Sequence, residues 1–119
     1  MTNAANFPRQ RDVYLSRGLG QSGDTKKCPV VVVSLDIRNQ YSSTVLVVPF
    51  SSDTQSAINN PIRVLISAGE GGLELDSVAM CDAITNIEKR YLERSPYAQI
   101  SLEYLERIQR GIQVAIGIF

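Results

Sequence analysis

The sequence contains no histidine and no tryptophan. Histidine is the side chain whose charge changes near neutral pH, so its absence excludes a Ser-His-Asp triad and the commonest proton shuttle. Cysteine occurs only at Cys28 and Cys81, a separation that fits neither a CxxC redox pair nor the spacing of zinc ligands. The pair reads as two free thiols rather than a disulfide, and no metal site is expected. An excess of either charge is also lacking, since 12 basic and 12 acidic side chains cancel. No global positive field announces nucleic acid, and an anionic ligand must be held by a local patch. Apolar runs such as residues 29–33 are far shorter than the ~20 residues of a membrane helix. The opening Met1-Thr2-Asn3-Ala4-Ala5-Asn6 lacks a charged and apolar leader, so a cytoplasmic protein with no membrane association is expected. Aromatic residues make up only 7%, which is little for a surface that stacks bases.

What is present suits one small globular domain: 119 residues, 44% of them hydrophobic and 20% charged. Residues 1–10 are polar and without pattern, and read as a flexible arm before a domain spanning 11–119. Strands are predicted at 12–15, 29–33, 44–50, 61–66, 77–82 and 84–87, separated by polar or glycine-rich stretches. The β-branched 29–33 reads as a central strand, with Pro29 at its first position, where a missing N–H costs least. It should pair antiparallel with 44–50 across a turn at 36–43. From Leu102 the period changes, and Leu105, Ile108, Ile112, Ala115, Ile116 and Phe119 recur at three- and four-residue steps. That is one amphipathic helix with Ser101 as N-cap, with Glu103/Arg107 and Glu106/Arg110 as i, i+4 pairs, slightly weakened by Gly111. The fold class is mainly β with a C-terminal α-helix, a small SH3-like antiparallel barrel.

Few motifs carry chemistry. Gly18-Leu19-Gly20-Gln21-Ser22-Gly23 spells GxGxxG, but the chain runs straight on to another strand, with no helix to aim at a pyrophosphate. The same loop carries Arg17, Lys26 and Lys27, a cationic cluster beside backbone donors where a phosphodiester fits. Ser51 and Ser52 follow the 44–50 strand, which presents their hydroxyls at the barrel rim. Asp82 closes the 77–82 strand, where a carboxylate takes a proton or caps a turn. Val114 and Ile118 add apolar surface beside the helix stripe, as in a helix that meets a partner.

Taken together, Arg11-Asp12-Val13-Tyr14, the valine run 30–33, Asn39, residues 44–52, Asp76-Ser77-Val78, Cys81-Asp82, Ile87-Glu88-Lys89 and the terminal helix resemble the MazF/PemK toxin family. The likeness runs from about Arg11 to Phe119. It implies the plasmid-maintenance-toxin barrel, a homodimer and a cognate antitoxin that blocks the RNA groove. It also implies cleavage of single-stranded mRNA without metal or other cofactor, the ribose 2′-hydroxyl attacking to leave a cyclic phosphate and a free 5′-hydroxyl. Carried over by position, Ser51 matches the family's catalytic Thr/Ser and Asp82 an acid of the PemK branch. The expected RNA contacts are Arg17, Gln21, Lys26, Asn39 and Ser52.

Two positions depart from the pattern. The family's arginine before the valine strand is Cys28 here, and the PemK-branch arginine two residues before the acid is Met80. Lys27, adjacent to Cys28, is the nearest replacement, with Lys26 and Arg17 behind it. A lysine supplies charge without the planar fork of arginine. A different class of function stays open on the same fold: a degenerate member acting by binding, either as a gyrase-poison-like toxin or as an RNA-binding protein.

Overall fold

The computed structural model describes residues 6–19 and 26–119. Seven strands form in chain order: β1 (Asp12–Ser16), β2 (Cys28–Val32), β3 (Thr44–Ser51), β4 (Arg63–Ile66), β5 (Ser77–Met80), β6 (Thr85–Glu88) and β7 (Ala98–Gln99). Among the described residues two α-helices accompany them, α1 (Asp36–Tyr41) and α2 (Leu102–Ala115), with short 3-10 turns between strands. All pairings are antiparallel, and the strand order is β4-β5-β3-β2-β1-β7, with β6 added on β3. The eight-residue β3 organises the sheet. Its first half pairs with β6 and its last two residues with β5, while β2 runs along its middle.

This curled sheet explains how so short a chain buries two apolar clusters. Alternate residues of one strand face opposite sides. Val31, Val48, Phe50 and Ala79 face one way and meet Leu105 and Ile108 of α2. Val30, Val45, Val47 and Ile87 face the other way, around Tyr14. The unbroken valine run of β2 is therefore buried on both faces, as its sequence predicts. The pairing of β2 with β3 is also as expected, with Val31 opposite Val48.

Three expectations are corrected, and Gly111 gains a structural reason. Residues 36–41, read as part of the turn at 36–43, make a helical turn and a half. Asp36 opens it, well placed against the helix dipole, and its carboxylate also accepts from the Gln10 N–H. The strand predicted to reach Asp82 stops at Met80, and Cys81–Ala83 turns into a 3-10 helix. The C-terminal helix stops at Ala115, because Gly117 at φ 87° closes it, and the tail is exposed, Phe119 completely. Finally, α2 needs Gly111: a Cβ there would stand 2.6 Å from the Cys81 sulfur. A residue that weakens a helix in isolation here permits its closest approach to the sheet.

The α2 N-terminus follows the prediction, with the Ser101 hydroxyl accepting from the Tyr104 N–H. Arg107 reaches Glu103 at 2.6 Å. Both cysteines are free thiols. Ahead of β1, Arg9 and Gln10 are already tied to the domain: the Arg9 N–H donates to Asp12 and the Gln10 side chain to the Val33 carbonyl.

Candidate active site

Ser51 is the last residue of β3, and its place follows from strand alternation. Val48 and Phe50 point into the core under α2, which turns Pro49 and Ser51 to the opposite face. On one side Ser51 pairs with Val78 of β5. On the other, continuing the register that sets Val30 opposite Pro49 brings Cys28 across from Ser51, with Ser16 beyond it. Ser51 is half-buried. Its oxygen accepts from the Asp53 N–H at 3.1 Å, which orients the hydroxyl and leaves its own hydrogen available to donate. Ser52 is exposed beside it.

Asp82 sits in the 3-10 turn after β5. The neighbouring Cys81 is fully buried against Gly111, and burial, with the Asp82 charge next, pushes its thiol up to about 11. A thiol held neutral in this way is a packing group, which anchors the turn and sends Asp82 outward. One Asp82 carboxylate oxygen lies 3.4 Å from Nε of Arg63. Arg63 opens β4 and pairs with Met80, while Leu65 pairs with Val78. Register-paired residues share a face, so Arg63, Met80, Val78 and Ser51 all lie on one side of the sheet. Sequence reasoning missed Arg63. Only the β4–β5 register brings it to Asp82.

The cationic loop residues are arranged differently. Lys27 makes an ion pair with Glu93 at 3.2 Å, and both side chains are about half exposed. Arg17 lies over the Tyr91 ring, and the chain packs tightly there, because a Cβ on Gly18 would press on the same ring. Lys26 is exposed at the start of the approach to β2. Gln21 lies outside the described residues, as does the GxGxxG motif from Gly20 onward.

Asn39 is a correction. Its side chain is fully buried, taking a hydrogen bond from the Ser34 hydroxyl and donating one to the Ser34 carbonyl at 2.9 Å. The Ser34 hydroxyl in turn accepts from the Leu46 N–H. These contacts use the carboxamide to join α1 to β3, and leave it no surface to offer RNA.

A cavity of about 700 Å³ lies elsewhere, between residues 6–9 and 89–96, with Tyr14 in its wall. Burial, and then the Asp12 charge, push the Tyr14 phenol up to about 12. None of Ser51, Asp82 and Lys27 lines this cavity. Among the described residues no cluster of three or more Cys, Asp or Glu side chains is placed to hold a metal ion, and no helix is long and apolar enough to cross a membrane.

The order of elements and the Ser51 and Asp82 positions can now be set beside known proteins. The chain is 29% identical over 90 residues to endoribonuclease EndoA of Bacillus subtilis, covering 76% of each sequence. It is 28% identical over 115 residues to endoribonuclease MazF of Staphylococcus saprophyticus, covering 92% of each. In structure it is similar to a mycobacterial endoribonuclease solved with its cognate antitoxin, with a TM-score of 0.76 at 19% identity, over 94% of this chain and 97% of that one. A MazE–MazF structure from Deinococcus radiodurans gives 0.75 at 16% identity, over 95% and 98%. At such identities the structural likenesses speak for the fold, a mainly β half-barrel with a C-terminal helix. The sequence pattern of the PemK-like, MazF-like toxins of type II toxin–antitoxin systems matches residues 9–116, and the chain belongs to that family.

Proposed function

We propose that this toxin is a sequence-selective endoribonuclease that cleaves single-stranded mRNA without a metal, working in the cytoplasm as a homodimer that a cognate antitoxin restrains. The family and the names of its sequence relatives support the reaction class. The mycobacterial and Deinococcus complexes support an antitoxin partner. The observation that carries the reading is the common face of Ser51 and the Asp82 turn, which sets a hydroxyl and a carboxylate along one side of the sheet.

Cleavage of this kind needs a base for the ribose 2′-hydroxyl and stabilisation of the charge that gathers on phosphorus. Asp82 accepts the 2′ proton as the 2′ oxygen bonds to phosphorus. Ser51 donates a hydrogen bond to a non-bridging phosphoryl oxygen, which holds the phosphate in line. The bond from phosphorus to the 5′ oxygen breaks, and that oxygen takes a proton from water. A 2′,3′-cyclic phosphate and a 5′-hydroxyl result. Arg17, Lys26 and Ser52 are expected to contact the strand outside the reacting phosphate, where splayed bases are read by loop side chains.

The test is to incubate the protein with a long single-stranded RNA in excess EDTA and map the fragment ends. The expected result is a small set of fragments ending in cyclic phosphate and 5′-hydroxyl, formed at least ~10²-fold more slowly by Ser51→Ala and Asp82→Ala. Intact RNA at high protein excess would overturn the reading and turn attention to a protein target.

A further inference from the structure

We infer that Arg63 is the cation of the cleavage site, a catalytic residue that binds the reacting phosphate with its guanidinium fork. The inference rests on the endoribonuclease reading above. The reaction gathers negative charge on phosphorus, and neither Cys28 nor Met80 supplies a cation, so the positive charge comes from another residue. Among the described residues Arg63 is the one cation within ion-pair distance of Asp82. Others are committed elsewhere: Lys27 to Glu93 and Arg9 to Asp36, and Arg38 to Thr44. Arg63 pairs with Met80 in the β4–β5 register and stands on the face that carries Ser51. With strands about 4.8 Å apart and a rise of about 3.4 Å per residue, two strands across and two residues along put Arg63 about 12 Å from Ser51, a gap that a phosphodiester and an arginine side chain can span together.

The chemistry selects Arg63 over Lys27 for a second reason. Nε faces Asp82, which leaves the two terminal nitrogens of the fork to bind phosphate. In the resting site the Asp82 carboxylate offsets the Arg63 charge. When Asp82 takes the 2′ proton it becomes neutral, and the Arg63 charge is released as the phosphorane turns negative. The cation therefore binds the transition state more strongly than the ground state, which is the condition for raising kcat. Glu93 takes up no proton in this reaction, so the Lys27 charge stays offset throughout. With its side chain about three-quarters covered, Arg63 is also less exposed to solvent screening than Lys27.

The experiment measures kcat and KM on an RNA substrate for the full chain and for Arg63→Met, Arg63→Gln, Arg63→Lys and the swap Arg63→Met/Met80→Arg, with thermal melts of each. Arg107→Met, which breaks an ion pair on α2 instead, is the control. Arg63→Met and Arg63→Gln are expected to lose ~10²–10³-fold in kcat with KM changed far less, and Arg107→Met to cleave normally. Arg63→Lys should recover part of the loss, as should the swap, which returns an arginine to the paired strand; a purely structural defect would not be rescued in this way. Losses below threefold in folded Arg63→Met and Arg63→Gln, with the parent cleaving RNA, would overturn the assignment alone. The same holds if Lys27→Ala loses the activity that those two retain. A parent protein that leaves RNA intact would instead overturn the endoribonuclease reading, and this inference with it.

Discussion

Asn39 shows how one residue can look functional in a sequence and prove structural in the fold. The family resemblance marks Asn39 as an RNA contact, yet its carboxamide closes a buried network with Ser34, whose hydroxyl also receives the Leu46 N–H. Asn39→Ala strands the Ser34 groups in the core, and a buried group left without its partner costs on the order of 1–3 kcal/mol. Urea unfolding is expected to show a loss of about 2–3 kcal/mol, with the cleavage rate per folded molecule unchanged. Ser51 is the opposite case. Its neighbours Ser52 and Asp53 suit a turn, and the hydroxyl does accept from the Asp53 N–H. Its proposed role stands on its place at the end of β3, on the face shared with Arg63.

At the scale of elements, α2 and the turn after β5 form one device. Gly111 lies against Cys81, whose neighbour Asp82 is the proposed base. Gly111→Ala places a Cβ where Cys81 already stands, and overpacking of this kind costs about 1–3 kcal/mol despite alanine's better helix propensity. The expected outcome is a lower Tm together with slower RNA cleavage, because the turn that aims Asp82 is displaced; adding Cys81→Ala to make room should recover Tm. Elements with strong periodicity were legible beforehand: the valine run of β2, the β-branched β3, and α2 with its Ser101 cap. α1 was not, because its six residues carry turn formers and owe their helicity to contacts from Gln10, Ser34 and Thr44. β7 was not legible either. Two exposed residues paired to β1 make an edge fragment with no period to detect.

For the whole molecule, two buried groups of the described residues make stability fall at alkaline pH. The Cys81 thiol is held at about 11 against an ordinary 9.0, and the Tyr14 phenol at about 12 against 10.0, in both cases chiefly by burial. In each the folded state keeps its proton longer than the unfolded chain does. Their contribution is therefore complete below pH 9 and declines as pH rises, between about 9 and 11 for Cys81 and between about 10 and 12 for Tyr14. Denaturant midpoints followed by circular dichroism should be flat from pH 7 to 9 and then fall. Cys81→Ala should flatten the lower part of that decline and Tyr14→Phe the upper part, even where each lowers stability overall.

The class of fold, the end of β3 as the place of a rim hydroxyl, the acid after β5 and the exclusion of histidine-based catalysis can all be read along the linear chain. These rest on local period, turn chemistry and composition, which a linear chain displays directly. That Asn39 is interior, that Gly111 is a contact site on the sheet, and that Asp82 has an arginine beside it emerge only when the strands and α2 pack together. Arg63 and Asp82 are separated in the chain by a strand, a loop and another strand. Their meeting is a property of the antiparallel register between β4 and β5, because a cross-strand neighbour is chosen by how two segments pair and not by what surrounds either one in sequence.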